Sequence, residues 1–170
     1  LYTYINAIHP LVLQSDVRPP YDGYLIGVAS GPSGLNQCSA PIPQGDPRRQ
    51  VKNAGVPVIR VMSQSDYLSG IAARRPDSDV APDLFRNYEI AGSAHATPDE
   101  LNFAASPEDI VRAGRTVPAM QCKEGPRSRF PNSIAFNAIL QNLELWVSKH
   151  IPPPRAEPIK VDSGKPVLDK

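Results

Sequence analysis

Val56-Pro57-Val58-Ile59-Arg60-Val61-Met62 runs directly into Ser63-Gln64-Ser65-Asp66, and how this stretch is read decides the fold. Arg60 apart, its first seven residues are β-branched or apolar on both alternating sets. A strand covered on two faces needs that pattern, and strands of a parallel sheet are covered in this way. Pro57 falls at the start of the run, where a missing ladder donor is tolerated. The run stops at two hydroxyls and an acid, so Asp66 is placed just beyond a strand end. Further on, Phe85-Arg86-Asn87-Tyr88-Glu89-Ile90 alternates in character and reads as a half-exposed strand. It breaks at Gly92-Ser93-Ala94 and is followed by His95. A histidine on a loop just past a strand is held by a rigid scaffold while its ring is free to reach a pocket.

The other segments supply layers for that sheet. Asp22 to Ala29 is a compact apolar run after Pro19-Pro20 and suits a buried strand. Leu1, Ile5 and Ile8 have helical spacing, and His9-Pro10 is expected to stop that helix, because proline disfavours helix in the residue before it. Ser30 to Gln50 carries seven glycines and prolines and reads as a loop. Between Tyr67 and Pro82, the charges of Arg74-Arg75-Pro76-Asp77-Ser78-Asp79 read as a solvated connection. Pro107 to Ala113 is a short helix with Ser106 as N-cap and Glu108 and Asp109 in its first turn. The strongest helix starts at Asn132 or Ser133, either of which can cap it. Its apolar stripe is Phe136, Ile139, Leu140, Leu143, Trp146 and Val147, and Ile151-Pro152-Pro153-Pro154 ends it. The fold class is α/β, a parallel sheet flanked by helices with long proline-rich loops. It forms one domain over residues 1–154, followed by a polar, loosely structured tail at 155–170.

Composition narrows the function. The 18 basic and 17 acidic residues are spread along the chain for a net charge of +1, so no field selects nucleic acid or anionic lipid. No apolar run reaches the roughly 18 residues of a membrane span. Leu1-Tyr2-Thr3-Tyr4 lacks the charged and apolar regions of a signal peptide. Cys38 and Cys122 permit one disulfide without requiring it. His9, His95 and His150 have no partner at metal-ligand spacing, so no metal site is expected.

Strand, strand with acid, strand with histidine and a final amphipathic helix follow the later part of the Ser, acid, His order of α/β-hydrolases. The chain is similar to one branch, the "alpha/beta hydrolase domain-containing" proteins. The resemblance is carried by Tyr4-Ile5-Asn6-Ala7-Ile8-His9-Pro10, Tyr21-Asp22-Gly23-Tyr24-Leu25, Arg75-Pro76-Asp77-Ser78-Asp79, Arg86 through Ala96, and Leu143-Glu144-Leu145-Trp146-Val147. It implies the second half of that fold, with Asp66 as triad acid and His95 as base. It also implies a nucleophile elbow of the G-x-S-Q-S-G kind a few positions before Leu1 and further chain after Lys170. The implied substrate is a small carboxylic ester or related acyl compound, with no cofactor and a secreted or periplasmic setting. The 170 residues alone are then expected to be catalytically silent. They are also expected to associate, through sheet edges left unpaired at Val56 to Met62 and Tyr24 to Val28. One departure matters: the family commonly has Glu two residues before the Asp, where this chain has Gln64.

Competing residues read more plainly. Ser63, Ser65 and Ser93 lie near the acid and base, but none sits in a glycine-flanked strand-to-helix elbow. Nothing around Cys122 would activate a thiolate. Asp77 and Asp79 read as surface carboxylates, and Glu89 as an ion-pair partner of an arginine such as Arg86. His9 reads as a packing or capping residue, and His150 as a cation at a helix C-terminus. The alternative function is a non-catalytic binding or structural module that keeps the sheet.

Overall fold

The structure is a computed structural model, and it describes residues 1–15, 18–32, 40–43, 45–98, 100, 106–117, 128–163 and 165–167. Cys38 and Cys122 lie outside the described residues. The chain opens with a π-helical turn, Tyr4–Ile8, that passes into α1, His9–Leu13. Strand β1, Tyr24–Gly27, is followed by β2, Val58–Ser63, and by the short helix α2, Tyr67–Gly70. Then come β3, Ser78–Val80, and β4, Asp83–Ile90. Helices α3, Pro107–Arg112, and α4, Asn132–Lys149, precede a small hairpin of β5, Val161–Asp162, and β6, Lys165–Pro166.

Four strands form one sheet in the order β1-β2-β4-β3, with β1, β2 and β4 parallel and β3 antiparallel to β4. All six residues of β2 are buried, as the two apolar sets require. Successive side chains point to opposite faces. Tyr24, Ile26, Val58 and Phe85 therefore pack on one side against Tyr2, Ile5, Val51, Ala54 and Ala73. Leu25, Ile59, Val61, Leu84, Tyr88 and Ile90 face the other side and meet Phe136, Ile139, Leu143 and Trp146 of α4. Helical segments thus cover both faces of a largely parallel sheet, an α/β arrangement.

The structure corrects several local expectations. Pro10 does not stop the first helix: it falls in the first turn of α1, where a missing N–H costs nothing, and the His9 N–H is satisfied by the Tyr4 carbonyl. The buried face there is Tyr2, Ile5 and His9, while Leu1 is exposed. The His9 imidazole is fully buried, and its Nδ1 lies 2.7 Å from the Tyr24 hydroxyl, whose pKa burial pushes up to about 12. Leu140 leaves the apolar stripe of α4 and is exposed. Strand β2 has no open edge, because β1 and β4 flank it.

The charges at 74–79 are not a solvated connection. Asp79 belongs to β3, and its carboxylate lies 2.6 Å from the buried Arg86 guanidinium. Arg75 is buried against Asp83 at 2.7 Å and stacks over the Phe85 ring at 3.7 Å. Strand β4 is not half-exposed at its centre, where Phe85, Arg86 and Asn87 are all buried between layers. Glu89 pairs with Arg74 at 2.9 Å rather than with Arg86, because residues three apart on a strand point to opposite faces. In the segment after α4, Arg155 pairs with Asp79 at 2.6 Å, and the Ile159 N–H donates to Glu89 at 2.9 Å.

Candidate active site

The register Ser63↔Ile90 brings the carboxyl ends of β2 and β4 level, so the segments that leave them start side by side. After β2 the chain makes a 3-10 turn, Gln64–Asp66; after β4 it turns at Ala91-Gly92 and reaches His95. Crevices outside the carboxyl ends of parallel strands are where open α/β sheets place their ligands. By contrast, a cavity of about 520 Å³ lined by Gly55, Val56, Pro57, Leu84 and Trp146 opens at the amino ends of β2 and β4.

At the carboxyl rim the two residues singled out in the sequence meet. Asp66 Oδ1 lies 2.8 Å from His95 Nδ1; the Asp66 side chain is 13% exposed and that of His95 62%. A half-buried carboxylate thus holds one edge of an imidazole that is largely exposed to solvent. Because a carboxylate can only accept, the hydrogen in this contact resides on Nδ1, which leaves Nε2 with its lone pair in the neutral ring.

Three serines surround the pair. Ser63 Oγ donates to Asp66 Oδ2 and lies 3.0 Å from Ser65 Oγ. Ser65 Oγ accepts the His95 backbone N–H at 2.7 Å. Ser93 Oγ donates to the Ile90 carbonyl at 2.7 Å. The two loops are latched by Gln64, whose Oε1 accepts the Gly92 N–H at 2.6 Å. Gln64, which stands where the resemblance implies a glutamate, therefore ties the two loops together.

The histidine loop is tied on its far side as well. Asn132 was expected to cap α4, but Pro131 holds the cap position and no side chain caps it. The Asn132 amide instead donates to the Ala94 carbonyl at 3.1 Å, one residue before His95. Just beyond, Thr97 and Glu100 exchange hydrogen bonds, Thr97 N–H to the carboxylate at 2.6 Å and Glu100 N–H to the hydroxyl at 3.2 Å. The Thr97 N–H, with the Thr97 hydroxyl, the Asn132 amide and the nearby imidazole, holds the Glu100 carboxyl below the usual carboxylate range. Sequence reading missed Ser63, Ser65, Gln64 and Asn132 as supports of the site. The only signal for the first three was the density of small hydrogen-bonding residues in Ser63-Gln64-Ser65-Asp66, and Asn132 gave none.

Gly92 sits at φ +73, a backbone region that side chains disfavour, and its N–H feeds the Gln64 latch. Nothing lies within 4 Å of where its Cβ would be, so Gly92→Ala tests the backbone alone. We expect that variant to lose about 1–2 kcal/mol of stability, with a matching fall in its urea midpoint.

Among the described residues no group of three His, Cys, Asp or Glu side chains is placed to hold a metal ion, and no helix is long and apolar enough to cross a membrane. A carboxylate, an oriented imidazole and an open Nε2 edge are the parts needed to draw a proton from a hydroxyl. A family model described as "Alpha/beta hydrolase domain" matches residues 1–170. No curated protein and no solved structure matches the chain.

Proposed function

Because the chain belongs to the alpha/beta hydrolase domain family over residues 1–170, we propose that Asp66 and His95 are the acid and general base of a serine-hydrolase triad acting on a carboxylic ester. The observation that carries this reading is the 2.8 Å contact between Asp66 Oδ1 and His95 Nδ1 at the carboxyl rim of the sheet, with the ring projecting outward. In such a reaction Nε2 takes the proton of a seryl hydroxyl as its oxygen attacks the ester carbonyl. The imidazolium, stabilised by the carboxylate, returns that proton to the departing alkoxide, which leaves an acyl-enzyme. Water then repeats the exchange and releases the acid.

None of the three nearby hydroxyls is that nucleophile. Ser63 and Ser65 are engaged on the Nδ1 and backbone side of His95, and Ser93 is bonded to Ile90. The reading assigns the role to a G-x-S-x-G elbow, a motif that the 170-residue sequence does not contain.

The test uses the natural gene product that carries these residues. It is expected to hydrolyse a chromogenic short-chain ester with an initial burst. His95→Ala is expected to remove the burst and to cut turnover by about 10⁴-fold while the circular dichroism spectrum is unchanged. Wild-type turnover in His95→Ala would overturn the reading.

A further inference from the structure

Two polar groups touch His95, the Asp66 carboxylate at its ring and the Ser65 hydroxyl at its backbone N–H, and Ser63 joins them. Asp66 has two carboxylate oxygens, and each is used: Oδ1 meets His95 Nδ1 at 2.8 Å, while Oδ2 accepts the Ser63 hydroxyl. The single Ser63 hydrogen is thereby committed, so the 3.0 Å contact between Ser63 Oγ and Ser65 Oγ must be donated by Ser65. Ser65 Oγ keeps its lone pairs for the His95 backbone N–H at 2.7 Å. The sense of every bond is then fixed. The His95 N–H donates to Ser65, Ser65 to Ser63, Ser63 to one oxygen of Asp66, and the His95 ring to the other.

We propose that Ser63 and Ser65 are positioning residues of the hydrolase site, forming with Asp66 a closed hydrogen-bond ring in which two donor arms leave His95, one from its backbone and one from its imidazole, and converge on the carboxylate. The rate effects of this proposal rest on the hydrolase reading above; its effect on the imidazole does not. Two constraints act on one residue. The backbone bond fixes where the loop carries His95, and the carboxylate bond fixes how its ring is turned. Ser63 ties the two together, because the hydroxyl that holds the carboxylate rotamer also accepts the hydrogen bond from Ser65. Ser63 is 3% exposed, so water does not readily replace its hydroxyl, whereas Ser65 is exposed and tolerates a larger side chain. Hydrogen bonds to charged groups are stronger than neutral ones and gain further where water is excluded.

The proposal is tested on the natural gene product in Ser63→Ala, Ser65→Ala and Ser65→Thr, by two readouts. The first is the ¹⁵N spectrum of labelled imidazole, with the His95 signals assigned by their absence in His95→Ala. In its neutral form, wild-type His95 is expected to hold its hydrogen on Nδ1. Both alanine variants are expected to lose that bias, and Ser65→Thr, which restores the hydroxyl, is expected to regain it. The second is ester hydrolysis, in which the alanine variants are expected to lose about 10- to 100-fold in kcat with KM unchanged, as for groups that orient the base and do not touch the substrate. Alanine variants with the wild-type tautomer would overturn the ring, even if His95→Ala abolishes turnover and so upholds the hydrolase reading. A protein that hydrolyses no ester yet loses its tautomer bias in Ser63→Ala would keep the ring and remove that reading.

Discussion

Asp66→Asn is expected to lower kcat for ester hydrolysis by about 10⁴-fold, with KM close to that of the wild type. The substitution preserves shape, and the side chain is only 13% exposed, so the fold has little reason to respond. What changes is the sense of the hydrogen bonds. The present carboxylate accepts from His95 at Oδ1 and from Ser63 at Oδ2. An asparagine offers one acceptor and one donor to two positions that both require acceptors. If its amide nitrogen faces His95, the ring must present a lone pair at Nδ1 and carry its hydrogen on Nε2, which cannot then take a proton from a hydroxyl. If it faces Ser63 instead, the Ser63 hydrogen loses its acceptor inside a buried pocket. In either case the imidazolium formed during the reaction loses its counter-charge.

Gln64→Glu is the informative companion. The resemblance implies a glutamate at this position, yet Gln64 Oε1 is engaged by the Gly92 N–H at 2.6 Å. A carboxylate there would still accept that bond and would not turn toward the ring. We therefore expect the Asp66→Asn, Gln64→Glu double variant to stay as inactive as Asp66→Asn. Recovery of turnover in the double variant, or wild-type kcat in the single one, would dismiss Asp66 as the triad acid.

The parallel core was legible because Val58, Ile59, Val61 and Met62 leave no polar set on either face, and only a strand buried on both sides uses such a run. The meeting of Asp66 and His95 was legible for a related reason: two loops that leave neighbouring strand ends begin close together. The partners of Arg86 and Glu89 were not legible. Their choice depends on which face each side chain takes and on β3, a three-residue strand hidden in what reads as a charged connection. Asn132 shows the limit of local rules. It stands where a capping residue is expected, but a tertiary acceptor, the Ala94 carbonyl, takes its amide. Local propensity gave way to the need to hold the loop that carries the histidine.

Away from the carboxyl rim of the sheet, the largest expected loss of stability comes from Asp79→Ala. Arg86 is 1% exposed and lies over the Trp146 ring at 5.2 Å. Its guanidinium donates to the Pro153 carbonyl at 3.0 and 2.8 Å and to Asp79 at 2.6 Å, with Asp77 at 3.5 Å. Removing the Asp79 carboxylate, itself 36% exposed, leaves the buried Arg86 cation with one carboxylate at longer range; a hydrogen bond to a charged group, discounted for that exposure, puts the loss at about 2 kcal/mol. At a urea slope of about 2 kcal/mol per molar, the midpoint falls by about 1 M. Arg155→Ala removes only an exposed, solvent-screened partner of the same carboxylate and is expected to leave the urea midpoint nearly unchanged. Arg86→Met in the Asp79→Ala background is expected to recover part of the loss, because the stranded charge is gone. The pH dependence has a definite sign. Hydrogen bonds from Arg155 and then Arg86 hold the Asp79 carboxyl below its usual range, so its contribution is complete above the ordinary carboxylate pKa of about 4. That contribution fades as the pH falls through the depressed value. The stability curves of wild type and Asp79→Ala should therefore run apart at neutral pH and converge in acid. Parallel curves across that range would show that the loss arises from packing around β3 and not from the charge.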